Sequence, residues 1–450
     1  MKIWVSGNFI FVTAIKELQK VIENGLCNRC GSCVGLSGGK IVFGNKEERY
    51  LPEILEEPDA ETMDIILTAC SGKAFNFPVN REEIFGNKTH FHVYTGAYRQ
   101  INIGYCTDNQ IRLNSASGGI ISALLIYLLR TKEIDGAVVL GMDNQKPWLT
   151  KPFIAKTEQE IQESAQSKYI ISSVNELLPQ IGSFKGKLAY VGLPGQVQSI
   201  RALQRIQHPW VKNIEYIFGP FYGNTLHFSS IKSFLRANGE KDYKAITKLY
   251  FRYGEWPGNM RVETASGKAY QLKKFHANYL IPFHIVKNSL ICTDLTNEFT
   301  DVSGGDAWAP VYEERGKGFS MVITRSLKGE ELLNRMLDEG YIKLSPISLE
   351  ESIKMHSHGY DLKKRGAFIR MKYMKFLGKI VPEYGYNIQN FSFGRYVMEA
   401  VLDFLFIVLS TRFFRWLSEV IPQKVIGNLF EKTRIFWKFI TAGIKRKKLS

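Results

Sequence analysis

The sequence predicts a mixed α/β fold: a small cysteine-bearing module at the N-terminal end, a larger α/β body, and a helical extension at the C-terminal end. Three observations carry this expectation. Three of the six cysteines stand together at Cys27, Cys30 and Cys33. From Tyr94 onward, short apolar runs with strand character alternate with longer apolar runs of helical length. Beyond about Asn387 the pattern becomes apolar residues at helical spacing with lysines and arginines between them. The expected divisions are residues 1–90 for the cysteine module, 91–240 and 241–387 for the two halves of the body, and 388–450 for the basic tail.

Composition narrows the class. Hydrophobic residues at 45% and charged residues at 23% of 450 are globular values, which argues against a disordered chain. The net charge of +16 is concentrated: residues 411–450 hold ten Lys/Arg against only Glu419 and Glu431, half of the whole excess. The remainder is too dilute for a nucleic-acid binder, and no zinc-finger, RNP or helix-turn-helix pattern accompanies it. No uninterrupted apolar run reaches about 18 residues, because the best stretch carries Glu399 and Asp403, so no membrane span is expected. The start, Met1-Lys2-Ile3-Trp4, leads into charged helix-like sequence without a small-residue cleavage site; no secretion signal is read and a cytoplasmic location is expected.

Taken in order, Thr13 to Glu23 reads as a short helix leading into Cys27-Asn28-Arg29-Cys30-Gly31-Ser32-Cys33. The C-x2-C-x2-C spacing lets a loop wrap three thiolates around one face of an iron–sulfur cubane, and Gly31 suits the tight turn. A fourth ligand must come from elsewhere, and Cys70 is nearest in sequence. Tetrahedral zinc and a set of buried, redox-inert cysteines remain open beside the [4Fe–4S] reading. With four thiols used, Cys106 and Cys292 are left, too few for a second all-cysteine cubane. The segment from Gly38 to Pro78 has turn residues and little periodicity, as expected where a metal cluster replaces an apolar core.

In the body, Ile120 to Leu129 is an apolar helix preceded by Asn114-Ser115-Ala116-Ser117-Gly118-Gly119, and Gly136 to Gly141 follows as a buried strand. Lys187 to Val191 is another strand, running into Gly192-Leu193-Pro194-Gly195-Gln196, with the next helix expected from Ser199. Such alternation predicts a mainly parallel sheet. Small-residue loops before helices bring backbone N–H groups close enough to hold a phosphate, a role open to Ser115, Ser117, Gly118 and Gly119 and to Gly192 and Gly195. Neither loop is a G-x-G-x-x-G or P-loop, and such a serine-glycine loop is more often an ordinary helix cap. Phe251 to Gly258 packs three aromatics and a Pro-Gly turn into eight residues, and Asp301 to Trp308 combines carboxylates, glycines and an indole. Asp301, Asp306 and His284 are candidate proton or hydrogen-bond partners for a cofactor ring; no residue is assigned as a catalytic acid or base.

Together these motifs, in this order over about residues 15 to 385, resemble the coenzyme F-420 hydrogenase/dehydrogenase beta subunit family in its short, one-cluster form. The resemblance implies an iron–sulfur flavoprotein that passes electrons between a cluster and FAD. It implies that Cys27, Cys30, Cys33 and Cys70 hold a [4Fe–4S] cluster and that Ser117-Gly118-Gly119 lies near FAD. Ser115, Gly192, Gln196, Asp301 and Asp306 complete the candidate cofactor-binding residues. The implied partners are a diffusible two-electron carrier of coenzyme F-420 type, or a ferredoxin-type redox protein. Flavin exchanges electron pairs and a cubane single electrons, so the two together convert between them. The chain departs from the family at Gly195 and Ser289, where cysteines are common, and at Ser37, where longer members continue with cysteine-proline. Two other functions stay open: an electron-transfer subunit without its own substrate, and a zinc-structural, membrane-associated scaffold.

The tail needs its own reading. Tyr396 to Leu409 is apolar almost all round, and Val425, Ile426, Leu429, Phe430, Phe436, Phe439 and Ile440 recur near helical spacing ahead of Lys445-Arg446-Lys447-Lys448. Pro422 is expected to separate two helices. Such a basic amphipathic segment can pack on the body, lie on an anionic membrane surface, or dock a partner.

Overall fold

A computed structural model describes residues 4–312 and 317–440 of the chain. Its centre is an eight-stranded sheet, with β1 at Gln100–Cys106, β2 at Gly136–Met142, β3 at Thr150–Ala155, β4 at Leu188–Val191, β5 at Ile214–Pro220, β6 at Val302–Asp306, β7 at Ser320–Thr324 and β8 at Ile342–Pro346. The strands lie in the order β8-β1-β7-β6-β5-β4-β2-β3. β2, β4, β5 and β6 run parallel. β3 on one edge and β7, β1 and β8 on the other pair antiparallel, so the sheet is only half as parallel as expected. A parallel neighbour needs a crossover of a dozen or more residues, usually a helix, and none is present between β2 and β3; a short loop there permits only a hairpin.

Helices cover both faces of the sheet. Ile120–Arg130 buries Leu124 and Leu128 in one core with Val139, Phe218, Val322 and Leu332. Pro194–Arg205 buries Val197, Ile200 and Leu203 in another with Val138, Leu188, Tyr190 and Ile217. Val138 and Val139 point to opposite faces, which is why β2 reads as a continuous apolar run. The second of these helices begins at Pro194, earlier than the expected Ser199, because proline lacks the N–H that the first helical position leaves unused.

The N-terminal region is more regular than its composition suggests. Its first helix spans Trp4–Glu23, and two further helices, Ala60–Ala69 and Phe77–Phe85, fall in or next to the stretch expected to lack periodicity. Asp59 starts the former by accepting the Thr62 N–H, and Met63, Ile66 and Ala69 then fall on its buried side. Leu18, Val21, Leu26, Met63 and Ile66 belong to the same core as Val138, Leu188 and Val197, so the cysteine region is packed into the body.

A three-stranded antiparallel sheet, Ile246–Tyr253, Asn259–Thr264 and Ala269–Lys273, builds a third core with Phe234 and Phe283. Against this side pack three terminal helices, Phe393–Leu409, Arg412–Val420 and Gln423–Ile440, with Pro422 between the last two. Lys445 to Lys448 lie outside the described residues. Arg415 of the second helix donates from Nε to the Phe283 carbonyl, next to His284, which is fully buried and bonded through Nδ1 to the Ser229 hydroxyl at 2.9 Å. Burial first, then Arg415 and His227, pushes the His284 imidazole down from 6.5 to about 3; burial, Arg29 and Arg415 do the same to His227. Both rings are therefore neutral in the fold, whereas the unfolded chain takes up their protons near 6.5. Stability is complete above that value and is lost as the pH falls below it. Urea titrations should show unfolding free energy declining below about pH 6.5 by up to about 1.4 kcal/mol per pH unit for each ring, with the slope reduced in His284→Asn.

Candidate metal centre and adjoining cleft

The first helix hands the chain to the cysteine loop through Asn24-Gly25, and the Leu26 and Cys27 N–H groups close onto the Val21 carbonyl. Arg29 and Gly31 are left-handed, at φ 60 and 96. Glycine is needed at position 31, because a Cβ there would meet the Glu176 backbone nitrogen at 2.6 Å. Asn28 accepts the Cys30 N–H at 3.0 Å and donates to the Ser71 hydroxyl at 2.7 Å; Ser71 in turn donates to the Gly195 carbonyl at 2.6 Å. This chain of bonds ties the loop to the segment that follows Cys70 and to the helix after β4.

Cys27, Cys30, Cys33 and Cys70 line one cavity, walled by Leu18, Val21, Ile22, Phe43 and Ile66 and carrying no carboxylate or imidazole. All four are free thiols. Burial raises each thiol pKa, and at Cys33 the charges of Cys27, Cys30 and Cys70 add to it; burial, then Cys30 and Cys27, pushes Cys70 to about 12. Burial is the first cause at all four, so as free thiols they are held neutral. Among the described residues no group of three or more His, Cys, Asp or Glu is gathered to hold a metal ion. Four cysteines lining one cavity with no carboxylate or imidazole are the donor set of a cubane, whose four irons each take one thiolate, and equally of a four-cysteine zinc site.

Asn28 and Arg29 also line a second, more polar cleft with Ser71, Gly195, Gln196, Tyr222 and Cys292. It lies where the chain leaves β4 and β5, outside the carboxyl ends of parallel strands, which is where open α/β sheets hold ligands. Sequence reasoning did not single out Arg29, although it stands between the first two cysteines. Its side chain is 7% exposed, Nη1 donates to the Cys27 carbonyl at 2.9 Å, and Nε has no partner. Among the described residues no carboxylate pairs with it, and burial lowers its pKa. Two of the three departures from the family converge here: Gly195 lines the cleft, and the Ser289 hydroxyl bonds to that of Tyr222 at 2.7 Å.

The candidate flavin residues divide. Gln196 lines the cleft while its side chain accepts the Leu193 N–H and donates to the Ser172 carbonyl, and Gly192 makes the turn before it against the Tyr190 ring. Ser117, Gly118 and Gly119 lie at the same end of the sheet but across it. The Ser117 hydroxyl bonds to that of Ser320 at 2.7 Å, the Gly118 N–H donates to the same oxygen, and a Cβ at Gly118 would meet the Gly104 carbonyl at 2.4 Å. Gly119 caps Ile120–Arg130 without a side-chain bond. Ser115 donates to the Ile111 carbonyl, an ordinary helix-end contact.

Asp306, at the carboxyl end of β6, joins this loop through Arg252, which pairs with it at 2.9 Å and donates to the Ala116 carbonyl and, at 3.0 Å, to the Tyr169 hydroxyl. Lys274 and the Trp256 indole N–H also reach Asp306, and Trp256 stacks near Trp308 at 5.2 Å. Burial would raise the Asp306 pKa, but Arg252 and Lys274 outweigh it and hold the carboxyl at about 2. Asp301 stands at the amino end of β6, away from the cleft. There its carboxylate accepts the Ile217 N–H and faces Arg201 and Lys328, a latch between strands. His284 bonds Ser229 through Nδ1, while its buried Nε2 has no hydrogen-bond partner. Asp306→Asn should leave the buried Arg252 guanidinium without its carboxylate partner and cost about 3–5 kcal/mol in urea unfolding, with altered tryptophan fluorescence from Trp256.

Residues 102–179 match the family described as coenzyme F420 hydrogenase/dehydrogenase, beta subunit N-term, and residues 185–350 match the family that describes the C terminus of the same protein. Together they span more than half of the chain; Cys27 to Cys70 precede both. A coenzyme F420-dependent sulfite reductase of Methanocaldococcus jannaschii is 24% identical over 364 residues, covering 78% of this chain and 52% of the relative, so the chain spans about half of that protein's length. The coenzyme F420 hydrogenase subunit beta of Methanosarcina barkeri is 25% identical over 260 residues, 56% of this chain and 84% of that one. Among solved structures, a chain of the F420-reducing [NiFe] hydrogenase complex from Methanosarcina barkeri superposes with a TM-score of 0.51 at 23% identity, over 64% of this chain and 96% of that one, a likeness of fold. The chain belongs to the coenzyme F420 hydrogenase/dehydrogenase beta subunit family.

Proposed function

We propose that the chain is an iron–sulfur flavoprotein oxidoreductase, with Cys27, Cys30, Cys33 and Cys70 holding a [4Fe–4S] cluster and FAD held along the carboxyl ends of the sheet strands. The observation that carries this is four thiols lining one apolar cavity that shares Asn28 and Arg29 with a polar cleft. When bound, the flavin supplies two-electron chemistry and the cluster one-electron transfer. The chain's own residues have simpler tasks. Leu18, Val21 and Ile66 keep water from the sulfurs, and Asn28 fixes the loop against Ser71. Arg29 favours any electron arriving beside it, since a buried cation without a carboxylate partner stabilises added negative charge. Gln196, Thr225 and Tyr222 offer polar contacts to a ring in the cleft, and the aromatic pair Trp256 and Trp308 with the Ser117-Gly118-Gly119 turn suits the distal end of a dinucleotide.

The relatives' names support a deazaflavin of coenzyme F420 type as the two-electron carrier. A second reading, an electron-transfer subunit that meets its substrate only within a larger assembly, draws support from the hydrogenase and dehydrogenase subunits among the relatives. Anaerobically purified protein should contain about four iron and four acid-labile sulfides with one FAD per chain. Iron without flavin would favour the subunit reading, and stoichiometric zinc with neither would sink both. Cys70→Ala should lose most of the iron. Arg29→Gln should keep it but shift the cluster potential to more negative values in a spectroelectrochemical titration, because the reduced state loses its neighbouring cation.

A further inference from the structure

The terminal helices are built inside out. On Phe393–Leu409 the charged side chains point inward: Arg395 pairs with Asp361 at 2.9 Å, Glu399 is fully buried between Arg370 and Arg395, and Asp403 reaches Arg370 at 4.0 Å. The outward face carries no charge. Phe393, Val397, Val401, Phe404, Leu405 and Ile407 are exposed along it, Phe404 to 63%. The next helix repeats the pattern, with Ser418 buried and Glu419 bonded to Ser233 while Phe413, Trp416 and Val420 face out. The third exposes Val425, Leu429, Ile435 and Phe436 and buries Ile426. These helices pack consecutively, and the first of them packs on Ala367–Phe376, whose last residue, Phe376, is 89% exposed and is followed by exposed Leu377 and Ile380. Water disfavours a surface of this extent, which marks an interaction site.

We propose that this face seats the protein on an anionic lipid surface, with the helices lying in the plane of the headgroups. Charge selects lipid as the occupant. Arg412, Lys424, Lys432, Lys375 and Lys379 are exposed around the apolar face, and residues 411–450 contain ten Lys/Arg against two acids. Both acids are engaged by the body, Glu419 by Ser233 and Glu431 by His276 at 3.5 Å. Exposed aromatics such as Trp416 suit the headgroup boundary, and lysines above it meet anionic lipid. Among the described residues no helix is long and apolar enough to cross a membrane. The buried ion pairs also hold the inward face against the body, so the helices embed one side only. None of this depends on the redox reading.

The test is co-sedimentation of the full chain with vesicles of phosphatidylcholine alone or mixed with phosphatidylglycerol, at low and high salt. Binding to the anionic vesicles that weakens with salt is expected. Val401→Asp with Phe404→Asp, on the outward face, should lower partitioning at least about tenfold while leaving the unfolding midpoint unchanged, and Lys424→Glu with Lys432→Glu should remove the preference for anionic lipid. Three results would each overturn the proposal: protein left in the supernatant with both vesicle types, binding indifferent to these substitutions, or a lipid-free dimer that the aspartates dissociate.

Discussion

Four thiols gathered around one apolar cavity are the constraint on which the site depends. Burial makes each harder to ionise than a free cysteine, and at Cys33 the three neighbouring thiols add to it. Hydrogen bonds from distant parts of the chain hold them there. Asn28 to Ser71 to Gly195 is one line; Ser32 to Ser199 to the Ala69 carbonyl is another; the Asn175 N–H to the Cys30 carbonyl is a third. These lines cross between the cysteine loop, the end of the helix bearing Cys70 and the helix after β4. The cysteine region therefore shares the body's core and cannot be positioned apart from it.

The sheet determines what lies next to those thiols. Its parallel strands β4 and β5 end at the polar cleft, and β6 ends at Asp306, so the loops that leave them gather along one edge. Arg29 stands where the two cavities meet, a buried guanidinium facing sulfur on one side and polar side chains on the other. Across the same edge, Arg252 and Asp306 neutralise each other and brace the Ser117-Gly118-Gly119 turn. One region thus keeps a cation with no carboxylate partner among the described residues, and the other holds its carboxylate between Arg252 and Lys274.

The terminal helices reverse the usual distribution of polarity. Asp361, Arg370, Arg395 and Glu399 form a buried ionic network that fastens the first of them, and such a network is worth more for holding one orientation than for net stability. The orientation it holds leaves the apolar side outward. Those helices also cover His284, so the same docking that presents the apolar face keeps an imidazole neutral.

Much of this was legible locally. The C-x2-C-x2-C spacing, the helix at Ile120–Arg130, the strand at Gly136–Met142 and the break at Pro422 are properties of windows of a few to a dozen residues, where periodicity and backbone chemistry act directly. The pairing of strands was not: a loop too short to cross over makes β2 and β3 a hairpin, but β1 pairs antiparallel with β7 and β8, which are far from it in the chain. Asp301 and Asp306 stand five residues apart in similar company, yet one latches the amino end of β6 and the other sits at the cleft end, a distinction made by strand direction alone. The same holds for Arg29, whose lack of a carboxylate depends on what every other segment brings near it, and for the bond from Ser71 to Gly195, which spans 124 positions. By itself the sequence determined the local elements and the cysteine spacing; the tertiary structure decided which charges are paired, which faces are covered and which residues meet, because those depend on contacts between segments far apart in the chain.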